Sequence, residues 1–369
     1  MNDFDILTDS NLKNSFSVPS KVKELITVNK ISCLTELYNS GEINKNTKIA
    51  GHGYNSIPKS EDESTFIKIA ASDIEIVKSE GKYVCVKVGA GCGWDNFVKW
   101  SVENNYHGLE NMSFIPGSVG AAPIHNIGAY GYEVSTFIVE LSLFDLENGK
   151  FVTYKNIDCD FKYRTSIFKL APNLLICDIT FKIYKDSKYV LLAIEDKEIS
   201  KYEETKELIN LLLNSFTFNF SLKPLLKFKF DSVRDILKLS IIPTKLKRKL
   251  VKKIRTKVLP NPEVIGNSGC FFKCPILTNE QFINFKSLYP QVEYFESEEG
   301  YKISACWLIR GAGWAGRTKN GVHIDANKPV LLLNYDSATS ENVLLVSNEI
   351  IENVMDKFKI KLETEAVFY

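Results

Sequence analysis

Short blocks of apolar residues, separated by polar turns, run along most of the chain, and three longer stretches keep a helical period. Val22 to Val28 reads as a strand and Cys33 to Tyr38 as a short helix. Phe66 to Ala70, Ile74 to Lys78 and Tyr83 to Val88 alternate or run apolar as strands do, with Glu80-Gly81 as a turn. Trp94, Phe97, Val98, Ser101 and Val102 recur at helical spacing, which predicts a helix over 94–104 packed on that sheet. Phe137 to Asp145 and Lys150 to Tyr154 form a predicted hairpin, because Asn148-Gly149 is a strong tight-turn signal. Leu174 to Tyr184 is a further strand. Downstream, the pattern predicts a helix over 280–289, a strand over 301–305 and a helix over 340–358 with Glu341 near its start. Residues 1–20 are polar and predict little order before Asn14-Ser15-Phe16.

Composition adds bounds. A chain of 369 residues suggests roughly two to three domains. With 44% hydrophobic and 25% charged residues it reads as an ordinary water-soluble protein with sizeable cores. A net charge of +1 argues against a nucleic-acid partner. The start, Met1-Asn2-Asp3-Phe4-Asp5, lacks the apolar core of a secretory signal. No apolar run reaches the roughly 18–20 residues that a membrane span needs. A cytoplasmic location is therefore expected. Cys33, Cys85, Cys92, Cys159, Cys177, Cys270, Cys274 and Cys306 are scattered, without a paired spacing, so reduced thiols fit better than disulfides, and no metal is expected.

Two stretches change the picture. Between Gly108 and Gly131 the chain carries glycines at 117, 120, 128 and 131 with small residues among them, and Pro116-Gly117 is a turn signal. A helix opening at Ser118 to Gly120 would point free amides at a pyrophosphate. The spacing is not the dinucleotide fingerprint, and a plain structural loop fits the composition equally well. The second stretch holds Lys245, Lys247, Arg248, Lys249, Lys252, Lys253, Arg255 and Lys257. It reads first as a solvated helical face, with a partner, nucleic-acid or membrane-surface contact as the alternative.

Gly-Leu-Glu-Asn from Gly108, Ile-Pro-Gly-Ser-Val-Gly-Ala from Ile115 and Asn-Ile-Gly-Ala-Tyr-Gly from Asn126 closely resemble the FAD-binding core of the UDP-N-acetylenolpyruvoylglucosamine reductase family. Tyr163-Arg164 followed by Ser166-Ile167-Phe168-Lys169 is a second match. Gly266-Asn267-Ser268-Gly269-Cys270-Phe271-Phe272-Lys273-Cys274-Pro275 is a third, and Leu362-Glu363-Thr364-Glu365 resembles the family's Leu-Glu-Pro-Glu end. The resemblance covers nearly the whole chain outside about 200–250.

It implies an α+β, three-domain FAD-binding reductase of the vanillyl-alcohol-oxidase-like type. Residues 1–70 would form an N-terminal FAD-contacting domain to which the tail 360–369 returns. Residues 71–258 would form the central FAD-binding domain, with an inserted basic segment at about 207–248, and 259–359 the substrate-binding domain. FAD and NADPH are the implied cofactors. A nucleotide sugar, UDP-N-acetylglucosamine enolpyruvate, is the implied substrate, reduced to its D-lactyl ether for peptidoglycan synthesis. Gly51, Gly53, Tyr54 and Asn55, together with Pro116, Gly117, Ser118, Val119, Gly120, Ala121, Asn126 and Gly128, would hold FAD. Tyr130, Arg255, Lys273 and Lys302 would contact substrate, and Arg164, Cys270 and Glu365 would be catalytic.

The physics suits these roles. Reducing an enol ether conjugated to a carboxylate builds negative charge there, which a guanidinium stabilises. Cys270 stands where the family has a proton-donating serine, and a thiol ordinarily ionises near pH 8.5, so acid strength is not lost. Other departures are His125 for Gln, Tyr54 for Ser, Val258 for Lys, Cys274 for Asn and Ala315 for Lys, and a missing Tyr-Gly pair near Tyr189. They leave open a paralogue reducing a different enolpyruvyl sugar, or a silent flavin or nucleotide-sugar binder.

Overall fold

The computed structural model describes residues 2–187, 189–190, 243–297, 299–335 and 338–369. The stretches read from sequence as Leu211 to Phe220, Lys223-Pro224 and Phe228 to Leu239 lie outside them. Contacts divide the chain into two compact units. One comprises Met1–Phe4, Val28–Ile49 and Ile69–Arg255; the other comprises Asp5–Thr27, Ala50–Lys68 and Thr256–Tyr369.

In the first unit, five strands form an antiparallel sheet in the order Lys150–Lys155, Ile138–Asp145, Leu174–Tyr184, Tyr83–Gly89, Ile74–Ser79. The central strand, Leu174–Tyr184, is buried at nearly every position, which is why its sequence runs apolar instead of alternating. Tyr83–Gly89 keeps the alternation, with Val84, Val86 and Val88 fully buried and Lys87 exposed. The helix Trp94–Glu103 buries Trp94, Phe97, Val98, Ser101 and Val102, the residues its period picks out. Its Phe97 ring lies 4.9 Å from Phe181 of the central strand. The hairpin turn at Asn148-Gly149 is present, and Tyr38 of the short helix Leu34–Asn39 packs edge-on against Phe144.

A further helix, Thr244–Val258, begins inside the stretch that the sequence sets apart as inserted. It is not a wholly solvated face. Lys247, Leu250 and Val251 are buried, while Lys245, Lys249, Lys252 and Lys257 face water.

The second unit contains strands Phe4–Asn11, Lys21–Val28 and Glu61–Ile69, adjacent in that order. The first contradicts the expected lack of order: an edge strand needs only backbone pairing, so polar side chains do not prevent it. Around the helix Ser340–Phe358, capped reciprocally by Thr339 and Asn342, a core gathers Phe271, Phe272, Leu308, Ile309, Val343, Val346, Ile350 and Val354. The predicted strand over 301–305 is shorter, Gly300–Ile303. Ser304 then caps the helix Ala305–Gly311 by accepting the Trp307 N–H at 3.2 Å. The strand Val367–Phe368 runs parallel to Ser56–Ile57. Among the described residues, no helix is long and apolar enough to cross a membrane.

Candidate active site

In the first unit, Pro116–Ala121 lies across the end of the strand Tyr83–Gly89. The Val119 N–H donates to the Cys92 carbonyl at 2.8 Å and the Gly120 N–H to the Ala90 carbonyl at 2.9 Å. Ser118 Oγ accepts the Ala121 N–H at 3.3 Å, closing a single 3-10 turn over Val119–Ala121. The expected helix start with outward amides is therefore corrected: those amides are used by the strand end. The amides just before them differ. Among the described residues, those of Gly117 and Ser118 donate to no protein acceptor. Gly117 has φ +121, and a side chain built there would meet nothing within 4 Å. That open, donor-bearing turn fits a pyrophosphate.

Asn126, almost fully buried, ties this loop to the Arg164 turn. Its Nδ2 donates to Glu133 Oε2 at 2.7 Å and to the Lys162 carbonyl at 3.2 Å, and its Oδ1 accepts the Ser135 N–H. Ser166 Oγ adds a bond to the Ile124 carbonyl at 3.0 Å. Lys162 and Thr165 exchange two backbone bonds, so Tyr163 and Arg164 form the tip of a tight turn. Arg164 has φ +55, a left-handed conformation that a non-glycine residue keeps only when its surroundings impose it. Its carbonyl accepts Lys169 Nζ at 2.6 Å, and its Nη2 reaches the Gly128 carbonyl at 3.4 Å. Tyr130 lies near enough to Arg255 to feel its charge. Burial raises the Tyr130 phenol's pKa, and Arg255 opposes that. Arg164, Asn126, Gly128, Tyr130, Arg255 and Pro116–Ala121 thus belong to one unit.

The second unit gathers the others. Asn267 is buried and shapes the Cys270 turn: its Oδ1 accepts the Gly269 N–H at 3.0 Å, and Gly269 turns with φ +72. Ser15 holds Asn267 from both sides, its carbonyl accepting the Asn267 N–H and its Oγ donating to the Asn267 carbonyl. Phe271 is held through its backbone on both sides, donating to the Val330 carbonyl at 2.9 Å and accepting the Glu365 N–H at 2.8 Å. Glu365 is thereby fixed beside the Cys270 segment, and Asn55 Nδ2 holds the Glu365 carbonyl at 2.8 Å. The Gly53–Asn55 turn is forced by Gly53, whose φ is +79 and whose Cβ, if present, would stand 2.1 Å from the Lys13 carbonyl oxygen. Tyr54 is half-buried with its carbonyl bound by Ser15 Oγ, and Gly51 is exposed. Gly53→Ala is expected to destabilise the protein by about 1–3 kcal/mol or more, read as a fall in melting temperature; an unchanged melting temperature would contradict this packing.

Lys302 pairs in register with Ile276, next to Cys274 and Pro275. Burial raises the Cys274 thiol's pKa, with Glu365 adding to the rise and Lys302 opposing it. Lys273 is engaged with Glu363, Nζ to Oε2 2.8 Å. Cys270 is the exposed thiol of the chain, whereas burial pushes Cys92 up to about 11 and Cys159 up to about 12. Sequence reading missed Lys328, half-buried with Nζ 3.4 Å from the Val258 carbonyl. Burial lowers its pKa, and Cys270 is the foremost group opposing that. No motif marks it. Lys247, Arg248 and Asp95 were missed too, for lysines and arginines in a basic run look solvated.

An FAD-binding-domain family model matches residues 36–155, a span holding both glycine turns. With the open Gly117–Ser118 amides, this defines the protein as an FAD-dependent oxidoreductase with an α+β FAD-binding fold. The model of the UDP-N-acetylenolpyruvoylglucosamine reductase C-terminal domain matches residues 260–369. The UDP-N-acetylenolpyruvoylglucosamine reductase of Bdellovibrio bacteriovorus is 33% identical over 363 residues, covering 98% of this chain and 97% of its own. That of Flavobacterium johnsoniae is 32% identical over 357 residues, 95% of each. The chain belongs to the UDP-N-acetylenolpyruvoylglucosamine reductase family. A crystal structure of UDP-N-acetylenolpyruvylglucosamine reductase from Thermus caldophilus shares the fold, with a TM-score of 0.60 at 18% identity, covering 99% of this chain and 98% of that one.

Proposed function

We propose that the protein reduces the enolpyruvyl ether of UDP-N-acetylglucosamine enolpyruvate to the D-lactyl ether, giving UDP-N-acetylmuramate, with NADPH as reductant. The observation that carries this reading is the Asn267-shaped turn that presents the exposed Cys270 thiol with Glu365 fixed beside it. Bound FAD supplies two-electron transfer from NADPH to the vinyl carbon. Gly117 and Ser118 would present amides to its pyrophosphate, and the Gly53–Asn55 turn would be a further contact.

The remaining work falls to side chains. Arg164 holds the substrate carboxylate and stabilises the charge that grows on it. Glu365 helps polarise the same conjugated system. Cys270 gives its Sγ proton to the carbon next to the carboxylate and recovers one from solvent. The sum is one NADPH and one proton consumed per ether reduced. Tyr130, Arg255, Lys273 and Lys302 bind the nucleotide sugar.

The central test is NADPH oxidation by purified, yellow protein. Oxidation should depend on UDP-N-acetylglucosamine enolpyruvate, and oxidation indifferent to it would sink the reading. Val258, Cys274 and Ala315 stand where the family carries lysine, asparagine and lysine, which favours a second reading, another enolpyruvyl sugar. The same assay run with such sugars separates the two.

A further inference from the structure

Phe114 stands two residues before Pro116, with φ +64, in the left-handed region that a bulky residue avoids. It is held there from three directions. Its N–H donates to Asp95 Oδ1 at 2.6 Å. Its carbonyl accepts Arg255 Nε at 3.1 Å. Lys252 Nζ sits 5.0 Å from its ring centroid. Asp95 is in turn gripped by both arms of Arg248, Nη1 to Oδ1 at 2.6 Å and Nη2 to Oδ2 at 2.8 Å. Burial alone would raise the Asp95 carboxyl's pKa, but Arg248 and the Phe114 amide outweigh it and hold the group below its ordinary value. Three residues on about two turns of one helix therefore converge on the residue that launches the Gly117–Ser118 turn. A neighbouring pair, Lys247 and Glu110, is 3.5 Å apart at 2% and 3% exposure, and Glu110 Oε2 accepts the Gly108 N–H at 2.7 Å.

We propose that Arg248 is a positioning residue: through Asp95, and with Lys252 and Arg255, it fixes Phe114 in its left-handed conformation and so aims the Gly117–Ser118 amides at the FAD pyrophosphate. The inference rests on the assignment of that turn to FAD. It gives the basic helix a task within the cofactor site, where the sequence suggested a solvated face. Arg248 is assigned no contact with cofactor or substrate; its effect passes through the left-handed backbone of Phe114. A bidentate fork matters here, since its two parallel N–H bonds fix the carboxylate's orientation, which a single ammonium does less well, while Oδ1 also serves the Phe114 amide.

The test is titration of the full-length, FAD-stripped protein with FAD, followed by flavin fluorescence. Arg248→Met should weaken FAD binding by about tenfold, the scale of holding one residue in a strained conformation. Arg248→Lys, the milder variant should Arg248→Met fail to fold, should lose an intermediate amount. Phe114→Asn accepts the left-handed conformation more readily, so adding it to Arg248→Met should restore most of the loss. A purely structural role for Arg248 would give no such rescue, and losses that simply add would overturn the proposal. Gly117→Val separates the two assignments. If it abolishes binding while both Arg248 variants bind FAD as tightly as the parent, the brace is wrong and the turn's role stands. If it leaves binding unchanged, the turn is not the FAD site, and the brace falls with it.

Discussion

Arg164→Ala is expected to slow substrate-dependent turnover by roughly 100- to 1,000-fold, the usual cost of removing a group that stabilises developing charge. The protein should still bind FAD, and NADPH should still bleach the flavin at close to the parent rate, because Arg164 is assigned to the substrate's carboxylate. Arg164→Lys should recover part of the loss, since a point charge replaces a planar fork. The location supports the expectation. Arg164 occupies the tip of a turn closed by Lys162 and Thr165, and Asn126 and Ser166 anchor that turn to the Ile124–Gly128 segment. A left-handed arginine at a buttressed tip is a costly arrangement for a residue of no consequence. Rapid mixing of the two half-reactions would measure the effect, and near-normal turnover would remove Arg164 from the site.

Cys270→Ala should have an effect of similar size, again confined to the step that uses the sugar. The thiol acts only once the substrate has accepted hydride, so flavin bleaching by NADPH should be nearly intact while its recovery on adding substrate is suppressed. Cys270→Ser should restore much of the activity, because the family's pattern carries serine at this place. The thiol must be protonated to serve as an acid, so turnover should fall as pH rises through its ionisation, and the serine variant should lack that alkaline limb. If Cys270→Ala slows both half-reactions equally, Cys270 is a packing or binding element.

Elements that bury one face were legible in the sequence. The period of Trp94–Glu103 names its buried residues, and Leu174–Tyr184 reads as a strand, whose burial at nearly every position the structure adds. The motif residues around Cys270 were legible as a pattern, and the structure supplies their physics: Asn267 is there to close the turn that presents the thiol. Three features were hidden for physical reasons. Phe4–Asn11 pairs through backbone alone, so its polar side chains gave no strand signal. The Val119 and Gly120 amides are consumed by the Cys92 and Ala90 carbonyls, a tertiary contact that local sequence cannot announce. Lys247 is buried because Glu110, 137 residues away in sequence, offers it a counter-charge. Deleting about 207–248, the segment that reads as an insertion, also removes Lys247 and Arg248, the ion-pair partners of Glu110 and Asp95.

The central claim is that this site adds hydride to the vinyl carbon and a solvent-derived proton to the carbon beside the carboxylate. The direct measurement is the mass and proton spectrum of the product formed from UDP-N-acetylglucosamine enolpyruvate and NADPH in heavy water. The account predicts UDP-N-acetylmuramate in one-to-one yield with NADPH consumed, carrying solvent deuterium at the carbon beside the carboxylate. NADPH consumed with the ether returned unchanged, or a product with no solvent deuterium at that carbon, would contradict it.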